Sequence, residues 1–284
     1  MRWIDVIGLG VAGNFTGHLE QAGEASDFES VAVVDSNAPK GIFPFYVPAE
    51  SEGAGDSHPL HQMPISSDTL RLNNHHENHQ IEPEVALLCE LTYEGDTLTA
   101  VTPRFAMAHN DCSIRRAGAQ KISEKKNWGP DSKGTSNQWV EIDTFSPGGV
   151  LDKYRLSCFL LRNDALHEYG VDSPVSGYSY FYKRLIDWLI LRMNTQIDEG
   201  PLEDISALLM GAGRPAQALI SVGATRYTEY GESHFLRSGD QSIVMLYDET
   251  LYQAEDLPDL LQRTTLSGMP GLSVLKQTVV PPNE

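Results

Sequence analysis

The stretch Glu82-Pro-Glu84-Val-Ala-Leu-Leu-Cys-Glu-Leu-Thr-Tyr93 decides the reading of the fold. Residues 85–93 make a continuous apolar strand, and Glu94-Gly95-Asp96 closes it with turn residues. Working outward, further strands are expected at 3–7, 31–34, 98–102, 104–108, 155–161, 216–222 and 242–247, with Gly, Asp and Pro turns between several of them. One clear helix is expected at about 178–193, where Phe181, Leu185, Trp188 and Leu189 lay an apolar stripe along one face. Residues 36–80 are rich in Pro, Gly and Ser and read as a long functional loop or lid, and 118–138 read as an exposed polar insertion. Many short strands with few helices do not make regular βαβ alternation. The expected class is α+β, mostly β, a mixed-sheet sandwich or roll. Residues 1–80 are expected on the lid side and 81–284 as one compact core.

The chain has 284 residues, enough to bury a substantial core without covalent staples. Lys and Arg total 21 against 39 Asp and Glu, a formal net charge of −18. An acidic balance of this size argues against a nucleic-acid or anionic-membrane surface, because phosphates need Lys and Arg to neutralise them. Cys89, Cys112 and Cys158 form neither a disulfide framework nor a Cys-x-x-Cys zinc pattern. No apolar run approaches a membrane span, and the first residues lack the pattern of a secretory leader. A cytoplasmic setting is the expectation.

Two motifs invite a cofactor. Gly8-x-Gly10-x-x-Gly13 follows a strand candidate, and Asp35 ends the next one 22 residues after Gly13. That spacing matches a dinucleotide fingerprint, in which the glycines admit a pyrophosphate and the acid holds a ribose hydroxyl. Against an NAD(P)-binding oxidoreductase, the chain after Asp35 enters Pro-rich loop instead of a second βαβ crossover. The same glycines also suit a tight turn. The second motif is Asn73-Asn-His75-His76-Glu-Asn-His79, whose His75 and His79 would share a face if helical and could hold zinc. Its Asn-rich surroundings favour a solvated loop.

The acids offer a third possibility. Glu82 and Glu84 lie two residues apart in an extended segment and therefore share a face. Asp111 follows 27 residues after Glu84. Three carboxylates suit a hard cation such as Mg²⁺, with Mn²⁺ or Ca²⁺ as alternatives. In a chain with 39 acids, three solvated surface groups are the competing reading.

The order of motifs resembles the fumarylacetoacetate hydrolase family across about 220 residues. Ala12-Gly13-Asn14-Phe15-Thr-Gly-His18-Leu-Glu20-Gln21 is similar to that family's N-terminal Asn/His stretch, and Phe43-Pro-Phe45-Tyr-Val-Pro48 to its Pro-rich Phe segment. Glu82-Pro-Glu84-Val-Ala86, Asn110-Asp111-Cys-Ser-Ile-Arg115, Trp128 with Lys133, Asp143-Thr-Phe-Ser-Pro-Gly148 and Phe235-Leu-Arg-Ser-Gly-Asp240 follow in the family's order. Departures fall on the substrate-contacting positions. Gln21 stands where the family has Glu, Val47 where a Lys often precedes Pro48, and Val222-Gly223-Ala224-Thr225 where it has Thr-Gly-Thr-Pro.

The resemblance implies a metal-dependent hydrolase or decarboxylase acting on C–C bonds of a small diketo or oxo acid. Glu82, Glu84 and Asp111 would hold the metal, and His18 on a lid would be the general base, with Glu20 as a substitute orienting acid. Lys133 would stabilise a developing enolate oxygen. Arg115 would pair a substrate carboxylate, or form a structural salt bridge. Gly223 and Ala224 would offer backbone N–H groups to substrate, or simply turn the chain. The family's fold and its habit of pairing as homodimers are further expectations. A non-catalytic protein on the same fold is the alternative left open by the altered substrate positions.

Overall fold

The computed structural model describes residues 2–24, 28, 35, 37–49, 58–116, 118–262, 266 and 268–283. Its strands run in chain order as β1 (Ile7–Ala12), β2 (Gly41–Tyr46), β3 (Ile65–Ser66), β4 (Thr69–Arg71), β5 (Asn78–Gln80), β6 (Pro83–Glu94), β7 (Thr97–Asn110) and β8 (Ser113–Arg115). They continue as β9 (Lys133–Thr135), β10 (Val140–Glu141), β11 (Tyr154–Arg162), β12 (Ala165–Pro174), β13 (Gln217–Ser221), β14 (Gln241–Asp248) and β15 (Leu272–Val280). The helices are α1 (His18–Gln21), α2 (Tyr182–Thr195), α3 (Ile205–Gly211), α4 (Glu229–Ser233) and α5 (Leu257–Leu261).

An eight-stranded sheet has the order β2-β1-β13-β6-β7-β9-β3, with β10 also paired to β7. A five-stranded sheet runs β12-β11-β14-β15-β4, and β5 pairs with β8 separately. Pairing is mixed, parallel at β1/β13, β15/β4 and β3/β9 and otherwise antiparallel. This is the mostly β, mixed-sheet architecture expected.

The run at 85–93 is continuous in apolar residues because β6 is covered on both faces for most of its length. Val85, Leu87, Cys89 and Leu91 enter the core between the two large sheets, beside Leu156, Val244 and Leu275. Ala86 and Leu88 enter a second core with Phe43, Phe45, Met107 and Leu219. A strand with no wet face has no reason to alternate. The two strands expected at 98–102 and 104–108 are one, β7, and Pro103 is accommodated at an irregularity in its pairing with β6.

Other expectations need adjustment. Residues 3–5 form a short 3₁₀ turn, and the strand begins only at Ile7. The candidate strand at 31–34 lies outside the described residues. The helix starts at Tyr182, and its buried stripe is Leu185, Leu189 and Met193, at i, i+4 and i+8. Strands from the first 80 residues are interleaved with later ones, since β1 and β2 continue the large sheet and β4 closes the edge of the second. The polar segment 118–138 is not an exposed insertion. Lys125, Lys126, Asn127, Ser132, Lys133 and Thr135 are all buried in it. Among the described residues no helix is long and apolar enough to cross a membrane.

The glycine motif has a packing explanation. Gly8 and Gly10 lie inside β1, and a Cβ at either would fall 2.2 Å from the ring of Phe45 or Phe43 on neighbouring β2. The glycines let two aromatic rings lie against the strand. They do not form the turn a pyrophosphate needs, and Asp35 is a half-buried partner of Arg184 at 2.6 Å. The dinucleotide reading is therefore set aside.

Candidate active site

The hairpin of β6 and β7 assembles the acids. Its register pairs Pro83 with Asn110 and Glu84 with His109. One step further places Glu82 opposite Asp111, whose N–H donates to the Glu82 carbonyl at 3.0 Å. Backbone pairing thus closes the 27-residue gap in sequence. Asn110 fixes the corner, accepting from the Glu82 N–H at 3.2 Å and donating to Gln277 and Ser242 at 3.1 and 3.2 Å. The result brings oxygens of Glu82, Glu84 and Asp111 within 4.8 Å of one another, with all three residues buried.

The third carboxylate is aimed by the chain after β13. Gly223 donates its N–H to Glu84 Oε2 at 2.7 Å. Its φ of +117° lies in the region only glycine occupies easily, so the peptide can present that N–H only with glycine here. Its amide is committed to Glu84, and Ala224 is 5% exposed in the same turn.

Four cations, from β8, β9 and the segment between them, gather at these acids and at the neighbouring Glu24. Lys126 Nζ lies 2.5 Å from Glu82 Oε2 and 2.6 Å from Asp111 Oδ2. Lys133 Nζ lies 2.5 Å from Asp111 Oδ1 and donates to the Cys112 carbonyl at 3.2 Å. Lys133 starts β9, which pairs with the end of β7 beside Asp111. Arg115 on β8 spends its donors on protein partners: Gln80 Oε1 at 2.6 Å, Glu24 Oε1 at 2.8 Å, the Tyr227 hydroxyl at 2.9 Å and Glu82 Oε1 at 2.7 Å. Lys125 joins Glu24 at 2.8 Å. Four acids and four bases therefore balance when all are ionised.

The electrostatics divide the carboxylates. Burial alone would raise the Glu82 carboxyl, but Lys126, Arg115 and His18 outweigh it and hold it well below its usual range. Burial and the adjoining Asp111 raise Glu84 well above the carboxylate range, despite Lys126 and the Gly223 N–H. Burial and the nearby Lys126 lower Lys133, although Asp111 opposes them. Lys126 itself is raised: burial opposes its charge, but Asp111, Glu82 and Glu24 prevail.

His18 is buried on α1, and its Nδ1 lies 2.9 Å from the Thr225 carbonyl. A carbonyl only accepts, so Nδ1 carries the proton and Nε2 keeps its lone pair. Burial lowers its pKa, and Glu82, Arg115 and Glu24 are close enough to act on it. A backbone carbonyl thus sets the tautomer without the family's Glu. Gln21 instead exchanges hydrogen bonds with the Tyr227 backbone at 2.9 and 3.2 Å. Glu20 is exposed on the same short helix, and the acid within the cluster is Glu24.

The histidine run contributes no second centre. Residues 75–76 are exposed and non-helical. His79 is buried with both ring nitrogens engaged, Nε2 accepting from the Asn73 N–H at 2.9 Å and Nδ1 donating to the Glu77 carbonyl at 3.0 Å. Among the described residues, Glu82, Glu84 and Asp111 are the group arranged to hold a metal.

Glu24, Lys125, Lys126, Gln80 and Tyr227 are the cluster members that sequence reading missed. A signal for the lysines was present. Their segment is bracketed by Asp111 and Arg115 on one side and Lys133 on the other, so a chain joining two parts of a site must pass beside it.

The model of a family of unknown function, DUF5718, matches residues 24–279. No curated protein matches. Among solved structures, the chain is similar to a fumarylacetoacetate hydrolase family protein from Yersinia pestis CO92, with TM-score 0.50 and 13% identity over 97% of this chain and 94% of that one. It is also similar to a 5-carboxymethyl-2-hydroxymuconate delta-isomerase from Mycobacterium smegmatis (TM-score 0.51, 13% identity, 98% and 80% covered). A third is 2-keto-3-deoxy-D-arabinonate dehydratase complexed with magnesium and 2,5-dioxopentanoate (TM-score 0.52, 12% identity, 98% and 73% covered). At these identities the shared feature is the fold.

Proposed function

The chain belongs to DUF5718, and we propose that it is a divalent-metal-dependent enzyme acting on a small diketo or oxo acid, of the fumarylacetoacetate hydrolase type. The convergence of Glu82, Glu84 and Asp111 carries this reading. Three carboxylate oxygens are the donor set of a hard ion such as Mg²⁺ or Mn²⁺, so the residues fit one chemically. When bound, the ion would supply Lewis-acid polarisation of the substrate's oxygens. A dehydratase of the same fold that is complexed with magnesium and an oxo acid supports the class of chemistry.

The chain's own groups take the remaining roles. Lys133, with its ammonium weakened by burial, would stabilise negative charge developing on an enolate oxygen or return a proton to it. His18 Nε2, unprotonated, would accept a proton from water in a hydrolysis. Arg115 acts by ion-pairing Glu82 and Glu24, which holds the acids in place. Gly223 orients Glu84.

Turnover of acylpyruvates and oxaloacetate by chelator-treated protein tests the proposal. Activity restored by Mg²⁺ or Mn²⁺ and lost in Asp111→Asn is the expected result. Absence of turnover by protein with metal demonstrably bound would leave a non-catalytic protein on this fold.

A further inference from the structure

The space between Glu82 and Asp111 already contains a positive charge. Lys126 Nζ contacts Glu82 Oε2 and Asp111 Oδ2 at 2.5 and 2.6 Å and lies 3.4 Å from the Asp111 carbonyl. A divalent ion held by the same oxygens needs them at ~2.0–2.6 Å, so the ammonium and the ion compete for one place. Charge makes the same point. Arg115, Lys125, Lys126 and Lys133 already meet the charges of Glu24, Glu82 and Asp111 in direct ion pairs, four cations to three acids. A further dication would leave a buried excess of positive charge.

The backbone around Lys126 is anchored. Lys125 is paired to Glu24, Asn127 donates to the Phe45 and Gln62 carbonyls at 2.7 and 3.1 Å, and the Trp128 indole donates to the Arg71 carbonyl at 2.8 Å. Withdrawal of the ammonium must therefore come from the side chain's own torsions, and the Phe43 ring stands 5.1 Å from Nζ.

We propose that the Lys126 ammonium is a resident cation in the seat between Glu82 and Asp111, and that a divalent ion enters only in exchange for it. The proposal rests on the reading of the three carboxylates as an ion site. It makes this chain a weak metal binder by construction, with Lys126 controlling occupancy.

Calorimetric titration of the chelator-treated full chain with Mn²⁺ alone tests it, on wild type, Lys126→Met and Lys126→Gln, each checked for folding by circular dichroism. Both variants should bind Mn²⁺ about tenfold or more tighter than wild type, the factor that loss of a competitor worth about 1.4 kcal/mol produces. Adding Glu84→Gln should abolish the gain. Equal Mn²⁺ affinity in all three proteins would overturn the exchange and leave the ion site standing. No Mn²⁺ binding by any folded protein would overturn both. Should neither variant fold, the wild type decides through its lysine Cε and Nζ resonances. Saturating Mg²⁺ should shift the buried Lys126 signal, and an unmoved signal with Mg²⁺ bound would overturn the exchange.

Discussion

The β6–β7 hairpin and the segment 118–138 supply opposite charges to one cluster, and they do so by different physics. The hairpin places Glu82, Glu84 and Asp111 through backbone register, which the apolar pattern of β6 and β7 and the turn between them fix. The segment places Lys125 and Lys126 through side-chain pairs with distant acids, while Lys133 is carried to Asp111 by the backbone pairing of β9 with β7. Glu82 is 44 residues from Lys126, and Glu24 is 101 residues from Lys125. Acids placed by register should survive loss of a partner in position, whereas cations placed by pairing should not.

The largest expected effect breaks the second half of that contrast. Lys126→Met leaves Glu82 and Asp111 buried without their shared ammonium, and should cost about 3–5 kcal/mol of stability in metal-free buffer. Urea unfolding measures it, and added Mn²⁺ should recover part of the loss by binding only the folded state. A cost near zero would mean that the pairing does not hold the segment.

The pH dependence of His18 comes next. Its folded pKa lies below the ordinary 6.5 because burial disfavours the imidazolium. Between the folded value and 6.5 the unfolded chain binds the proton and the folded chain does not, so stability falls as pH drops below 6.5. Relative to His18→Gln, wild type should lose up to about 1.4 kcal/mol per pH unit across that window. Parallel stability profiles for the two proteins between pH 7 and 5 would refute the buried neutral imidazole.

Glu84 sharpens the hairpin side. It is held toward its protonated form, so Glu84→Gln should cost less than about 1 kcal/mol at neutral pH while keeping an acceptor for the Gly223 N–H. Asp111→Asn, which strips charge from two buried lysines, should cost clearly more in the same denaturation series. The smallest effect belongs to an exposed ammonium. Lys183 pairs with Asp187 one helical turn away with both side chains mostly in water. Lys183→Met should change stability by no more than about 0.5 kcal/mol, and a larger change would blur the distinction between buried and surface lysines.

The same contrast explains how much was legible. An apolar run with two acids at its head shows both the strand and the shared face of Glu82 and Glu84, because period two is a property of the backbone. The shared order of motifs then brought Asp111, His18 and Lys133 into consideration, and the structure puts Asp111 and Lys133 in ion contact and His18 nearby. For Lys126 the sequence offers only its place between Asp111 and Lys133, because lysine ordinarily signals solvent and only tertiary pairing with Glu82 and Asp111 reverses that. For Arg115 the sequence leaves a substrate contact and a salt bridge open, and its full set of protein partners favours the salt bridge. Gly8 and Gly10 matched a cofactor pattern by spacing alone, while the reason for them sits on β2 in the rings of Phe43 and Phe45. The Asn/His run at 73–79 is non-helical, as its Asn-rich surroundings favour, yet His79 is buried against Trp128.

The most direct test of the account is an anomalous-scattering map from a crystal of the protein soaked in Mn²⁺. One peak is expected within ~2.0–2.6 Å of oxygens from Glu82, Glu84 and Asp111, with Lys126 Nζ moved out from between Glu82 and Asp111. A map with Lys126 still bridging those carboxylates and manganese bound only elsewhere would contradict it.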